Sequence, residues 1–285
     1  MLVTDRARDR ETARVDWSDA HGQAAYDVRF DWGPAGLAAV GAGAAVVVVV
    51  DVLRFTTAVS VAVGRGAVVL PYAWAAGDAA AAYARRHGAK LAGRREDGDW
   101  SLSPTDLLAL PAGTQLVLPS PNGSALAFGA ADGDPDATVL AGCLRNATAV
   151  ARAAAGHDGP VAVVAAGERW HGDLGPVRPA VEDLVGAGAV LCGVADGRRS
   201  SRAARGSAVA VSPEAEAAIA AFAAVGDDLG AWLAATASGR ELAIRGWADD
   251  VATAAALDAE SAVPVLDGPR FVAMGEGRSM AQQGP

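Results

Sequence analysis

An aspartate stands directly after five consecutive valines, and Val52-Leu53-Arg54-Phe55-Thr56-Thr57 follow it. A carboxylate at the end of so apolar a run costs free energy unless something engages it. Asp51 in that place can hold a divalent cation or attack a phosphorus atom. Arg54 can clamp an anion, and Thr56 and Thr57 open a helix whose free N–H groups favour phosphate. Asn122-Gly123-Ser124 follows a second apolar run and forms a turn that can present backbone donors to an oxyanion. Asn146 follows a third. Glu182 and Asp183 begin an otherwise apolar helical stretch. Adjacent acids on a helix point to different faces, so one can bind metal while the other orients a ligand or a water. The plain alternative is that these groups are helix caps and turns, in which case Asp51 and Glu182 lie far apart.

The elements that must position these groups alternate along the chain. Residues 46–50 form a β-branched run of the kind buried in a parallel sheet. A helix over 57–63, a strand over 67–70 and a helix over 78–87 closed by Gly88 follow. Strands over 116–118, 139–141 and 161–165 are each followed by a polar turn and a helical segment, over 124–128, 147–155 and 182–190. That alternation predicts an α/β fold, three layers with a mostly parallel sheet between helices, whose ligands bind beyond the carboxyl ends of strands. From about residue 193 the chain reads as mainly helical, with an Arg/Ser-rich linker over 197–206 and helices over 213 onward, 227–235 and 248–258. Residues 1–35 read as an N-terminal extension, 36–275 as one α/β domain or two closely packed lobes, and 276–285 as a flexible tail.

Composition narrows the chemistry. With 285 residues, 52% hydrophobic and 20% charged, the chain can bury a large core. Its net charge is −9 and Lys90 is its one lysine. A Walker-type phosphate loop, a Schiff-base lysine and a polybasic nucleic-acid face are therefore excluded. An anionic substrate must be held by a few arginines and backbone N–H groups against the overall field. Cys143 and Cys192 sit among small apolar residues and read as buried small hydrophobes. The charged first 19 residues do not read as a signal peptide, and the apolar stretch 37–50 is short for a membrane span. A cytoplasmic protein with no membrane or nucleic-acid partner is expected. Glu168 and His171 lack a second histidine at ligand spacing, which argues against zinc. Leu53 stands where a haloacid-dehalogenase phosphatase carries its second aspartate, and Arg86-His87-Gly88 closes a helix rather than following a strand.

In order and spacing, the segments VVVVVDVLRFTTAVSVAVGRGA, PNGSALAF, LAGCLRNATAVA, VAVVAAG and VEDLVGAGAV resemble the 2-phosphosulfolactate phosphatase (ComB-like) family, with a looser match in SGRELAIRGWADDVATAAALD. The resemblance implies a magnesium-dependent hydrolase of a small phosphorylated 2-hydroxy acid. It implies catalytic roles for Asp51, Arg54, Glu182 and Asp183, with Mg2+ on Asp51, Glu182 and Asp183. Substrate contacts would come from Thr56, Thr57, Asn122, Gly123, Ser124, Asn146 and Arg95. The pattern departs from the family at Gly93-Arg94-Arg95, at the 99–104 loop, at Ala125 where an arginine is expected, and in a longer loop before Glu182 carrying Trp170 and His171. The expected partner is a small anionic phosphomonoester, and the expected assembly a homodimer. A homologue that binds such an anion without hydrolysing it, or a phosphatase for a different substrate, is the alternative.

Overall fold

A computed structural model describes residues 18–73, 78–97, 100–170, 175–203 and 207–275. In chain order its elements begin with α1 (Ser18–His21), β1 (Val28–Trp32), α2 (Gly33–Val40), β2 (Val46–Val50) and α3 (Phe55–Gly64). There follow β3 (Val68–Tyr72), α4 (Asp78–Arg86), β4 (Lys90–Leu91), α5 (Pro104–Leu107), β5 (Gln115–Pro119) and α6 (Gly123–Gly133). Next come β6 (Thr138–Gly142), α7 (Ala147–Ala155), β7 (Val161–Ala165), the short pair β8 (Glu168–Arg169) and β9 (Val177–Arg178), and α8 (Val181–Ala203). The chain ends in α9 (Pro213–Val225), α10 (Leu229–Ala235), α11 (Ala237–Ile244), α12 (Ala248–Ala254), β10 (Pro264–Asp267) and β11 (Arg270–Ala273).

Nine strands form one sheet in the order β1-β7-β2-β6-β10-β11-β3-β5-β4. Five of the eight pairings are parallel, so the sheet is mostly parallel and the α/β expectation is met. All five valines of β2 are buried because both faces of the sheet are covered. Val46, Val48 and Val50 pack with α7 and α8, while Val47 and Val49 pack with α2 and α6. Val50 lies in register with Gly142 of β6 and Ala165 of β7, so the three strands end level and their following loops meet.

Three expectations are corrected and one is extended. The N-terminal extension contains β1, which pairs with β7 over five residues and buries Val28 and Phe30. Its outer edge is covered in part by the Gln23 amide, which donates to Phe30 O at 2.8 Å and accepts from Phe30 N at 3.1 Å, so no bare edge is left there. The expected linker over 197–206 is the end of α8 as far as Ala203. Its arginines are anchored: Arg198 is buried and donates to the carbonyls of Asp27 and His157, and Arg202 grips the Asp27 carboxylate at 2.7 and 2.8 Å. The helical C-terminal part also carries the antiparallel hairpin β10–β11, which inserts between β6 and β3. Its Phe271 is fully buried and meets the Phe55 ring edge-on at 6.4 Å. Cys143 is buried as expected, whereas Cys192 is half-buried; both are free thiols. No single helix among the described residues is long and apolar enough to cross a membrane. Residues 1–17, His171 and the tail 276–285 lie outside the described residues.

Candidate active site

Asp51 turns back over the start of α3. Its Oδ1 accepts from Phe55 N at 3.1 Å and its Oδ2 from Gly123 N at 3.1 Å, so one carboxylate ties β2 to the amino ends of α3 and α6. One of the donors expected to wait for a substrate oxyanion at each of those helix starts, Phe55 N and Gly123 N, is thus given to Asp51. Burial, reinforced by the nearby charges of Glu168 and Glu182, pushes the Asp51 carboxyl up to about 7, although both N–H groups pull it down.

Thr56 Oγ1 donates to Asp51 O and accepts from Asp51 N, and Thr57 Oγ1 donates to Val52 O at 2.7 Å. Both threonines are wholly buried. Ser124 is buried as well, accepting from Tyr72 N and donating to Leu118 O. Asn146 accepts from Cys143 N and donates to Ala141 O and Ala262 O. The substrate contacts expected of Thr56, Thr57, Ser124 and Asn146 are therefore corrected. Their polar atoms are spent on backbone groups that have no water to turn to, and they position the loops instead. Gly123 is constrained for the same reason. A Cβ there would run into the Phe55 ring and come within 2.8 Å of Asp51 Oδ2. Gly123→Ala is expected to lower turnover about tenfold or more by displacing that carboxylate; steady-state kinetics on the folded variant would check it.

Asp183, in the first turn of α8, is a second clamp. Its Oδ1 accepts from Val52 N at 2.7 Å and its Oδ2 from Gly167 N at 2.9 Å, so it joins the loops that follow β2 and β7. Burial and the charges of Asp51 and Glu182 raise its carboxyl well above the usual range. Glu182 beside it is buried, and its Oε2 has no hydrogen-bond partner. Glu168 completes the group, its Oε1 accepting from Asn122 Nδ2 at 3.0 Å.

These four acids line one cleft of about 170 Å³, together with Arg54, Asn122 and, from α11 and the turn after it, Glu241, Arg245 and Trp247. Asp51 and Glu182 thus share a site, and the reading of the strand-end groups as unrelated caps fails. Arg54 forms a 2.7 Å ion pair with Asp250 of α12 and stacks 4.7 Å from the Trp247 ring. Asp250 is fully buried and also accepts from Ser103 Oγ. Arg95 lies outside this cleft; its guanidinium is held by Asp106 at 3.1 Å and Asp249 at 2.8 Å, and it lines a neighbouring one. Ala125 lines a groove with Pro34 and Leu37 of α2, so a missing arginine there leaves no gap among the acids.

A family model described as 2-phosphosulpholactate phosphatase matches residues 37–269, a span that holds every residue of the acid cleft. The chain belongs to that family. No curated protein matches it. The 2-phosphosulpholactate phosphatase family is one of phosphoric monoester hydrolases, which gives the crowded carboxylates a reason to be crowded. Left without a cation they repel one another, and sites that raise carboxyl groups in this way are characteristic of function. The match covers the acids that follow β2 and β7 and that begin α8, together with the α11–α12 segment, and leaves β1 outside it.

Sequence reasoning missed Glu168, Arg245, Trp247 and Asp250 as site residues. Glu168 stands two residues beyond Ala166, directly past the end of β7, where the strand-end rule applies. The other three belong to the SGRELAIRGWADD segment, which carried the looser resemblance.

Proposed function

We propose that the chain is a cytoplasmic, magnesium-dependent phosphatase that hydrolyses a small phosphorylated 2-hydroxy acid, 2-phosphosulfolactate or a relative. The observation that carries this reading is the convergence of Asp51, Glu168, Glu182 and Asp183 on one cleft with Arg54 in its wall. Among the described residues no three His, Cys, Asp or Glu side chains form a ready-made metal cage. Magnesium does not require one, since it is commonly held by one or two carboxylates and by the substrate's own phosphate, with waters completing its shell. The unpartnered, buried Oε2 of Glu182 fits that role, and each Asp51 oxygen keeps a lone pair beyond its N–H bond. When bound, the ion would neutralise phosphate oxygens and so favour attack at phosphorus.

The chain's own residues supply the rest. Arg54 spends part of its guanidinium on Asp250 and keeps further donors for a phosphate oxygen. Asp183 fixes the two loops so that the acids face the cleft. Glu168, half-buried and held by Asn122, is the acid placed to take a proton from water entering the cleft.

The pH dependence of metal binding tests this reading. The folded protein holds the Asp51 proton to about 7, whereas an unfolded aspartate releases it near 4. The unfolded chain therefore binds fewer protons between those values, and the metal-free fold loses stability as pH rises through that window. Magnesium relieves the cost only once the proton has left. The rise in Tm on adding Mg2+ is expected to be small at about pH 5 and largest above about pH 7. Thermal unfolding with Mg2+ and with chelator across that range measures it, and a gain indifferent to pH would place the ion away from Asp51.

A further inference from the structure

The acid cleft does not end at its own wall. Arg54, Leu102, Arg245 and Trp247 line it on one side and on their other side line a second cleft of about 460 Å³. The second cleft is more than twice the volume of the first, and most of its exposed lining is apolar. Ala80 of α4, Leu91 of β4, Ala92, Leu102 and Pro119 contribute that surface, with the Trp247 indole at the junction, while Arg94, Arg95, Glu96 and Ser101 add polar groups. Arg54 and Arg245 both lie against that indole, at 4.7 and 5.6 Å from its ring. Arg245 is the recruitable cation of the two. Its partner Glu241 is an exposed neighbour one helical turn away, and such a pair is readily exchanged for a ligand carboxylate. Arg54 is fixed by the buried Asp250.

We propose that the second cleft receives the alcohol portion of the substrate, and that the preferred substrate is the phosphate ester of a 2-hydroxy acid carrying a ring-sized apolar group. This rests on the phosphatase reading of the acid cleft. A three-carbon acid is accommodated by the smaller cleft alone and would leave the larger, apolar one beside it open to water. A ring seated between Leu91, Leu102 and Trp247 gains apolar contact there, and the acid's carboxylate falls at the junction where Arg245 stands. The reaction is ester hydrolysis. A water oxygen bonds to phosphorus, the P–O bond to the alcohol breaks, and the departing alkoxide takes up a proton.

The test compares O-phospho-3-phenyllactate with O-phospholactate as substrates in the presence of Mg2+. Wild type is expected to favour the phenyl ester by about tenfold or more in kcat/KM. Ala80→Phe and, separately, Leu91→Trp fill the second cleft and line no part of the acid cleft. Either is expected to bring the ratio close to one while leaving the lactate ester's kcat/KM unchanged. Equal kcat/KM values for wild type, a preference for the lactate ester, or a phenyl preference that survives both filled variants would overturn the proposal. Calorimetric binding of the two esters reads the same ratio without turnover, and equal affinities would overturn it too. Failure to release phosphate from any ester, with the phenyl ester still bound more tightly, would instead overturn the phosphatase reading and keep the second cleft as the selective pocket.

Discussion

Asp51→Asn is expected to reduce kcat/KM for phosphate release by about a thousandfold or more, in a protein that remains folded. The loss follows from what the carboxylate touches. It contributes charge to the cleft, and it receives N–H bonds from the first residues of α3 and α6. An asparagine keeps the shape but offers one acceptor, and it turns an NH2 group towards either Phe55 N or Gly123 N. An unsatisfied buried donor of that kind costs about 1–3 kcal/mol. Against this, the variant removes one charge from beside Glu168 and Glu182, whose repulsion helps to raise the Asp51 carboxyl. The two effects oppose each other, so Tm is expected to stay within several degrees of wild type while activity disappears. Circular dichroism and phosphate release on the same preparation measure both. Wild-type turnover in the variant would remove Asp51 from the chemistry.

Asp250→Ala is expected to cause the largest loss of stability of any single change at the site. Asp250 has no exposed surface, pairs with Arg54 at 2.7 Å and lies 3.6 Å from the Arg95 guanidinium. Removing it strands a mostly buried cation and frees Ser103 Oγ as well. Breaking a buried pair from one side costs about 3–5 kcal/mol, because the remaining charge is left without compensation. For a chain of this size that corresponds to a Tm lower by roughly ten degrees. Turnover is expected to fall with it, since Arg54 is no longer held in the cleft wall. Asp250→Asn, which keeps the volume and one acceptor, should lose less stability. Denaturant unfolding of the two variants reads the difference. Wild-type stability in Asp250→Ala would mean that the Arg54–Asp250 pair does not form in solution.

What could be read from the sequence follows the strength of local signals. Five valines before an acid can scarcely be anything but a buried strand ending at a polar site, and β2 and Asp51 appear where that pattern places them. The acids at the start of α8 were conspicuous for a related reason, as charged residues in a stretch, 181–191, otherwise made of Val, Leu, Ala and Gly. The side chains next to strand ends were harder. Thr56, Thr57, Ser124 and Asn146 carry groups that serve a ligand or a backbone amide equally well. Only the fold decides, and here it spends them on backbone. Arg198 and Arg202 fell in the expected Arg/Ser-rich linker, yet they reach back to Asp27, the residue before β1, and the helix runs on where the linker was expected. The hairpin β10–β11 has only four residues per strand, too few to show a period. Asp250 pairs with Arg54 across 196 residues of chain, a contact that no local pattern announces.

A metal-assisted phosphatase site in the acid cleft, as proposed above, is best tested by phosphate release from 2-phosphosulfolactate. Wild type and Glu182→Gln would be compared across a Mg2+ titration and with chelator. Release by wild type is expected to stop on chelation, and the Mg2+ requirement of the variant to rise by about tenfold or more because a neutral amide replaces the buried carboxylate. Release that persists in chelator, or a variant with an unchanged Mg2+ titration, would contradict it.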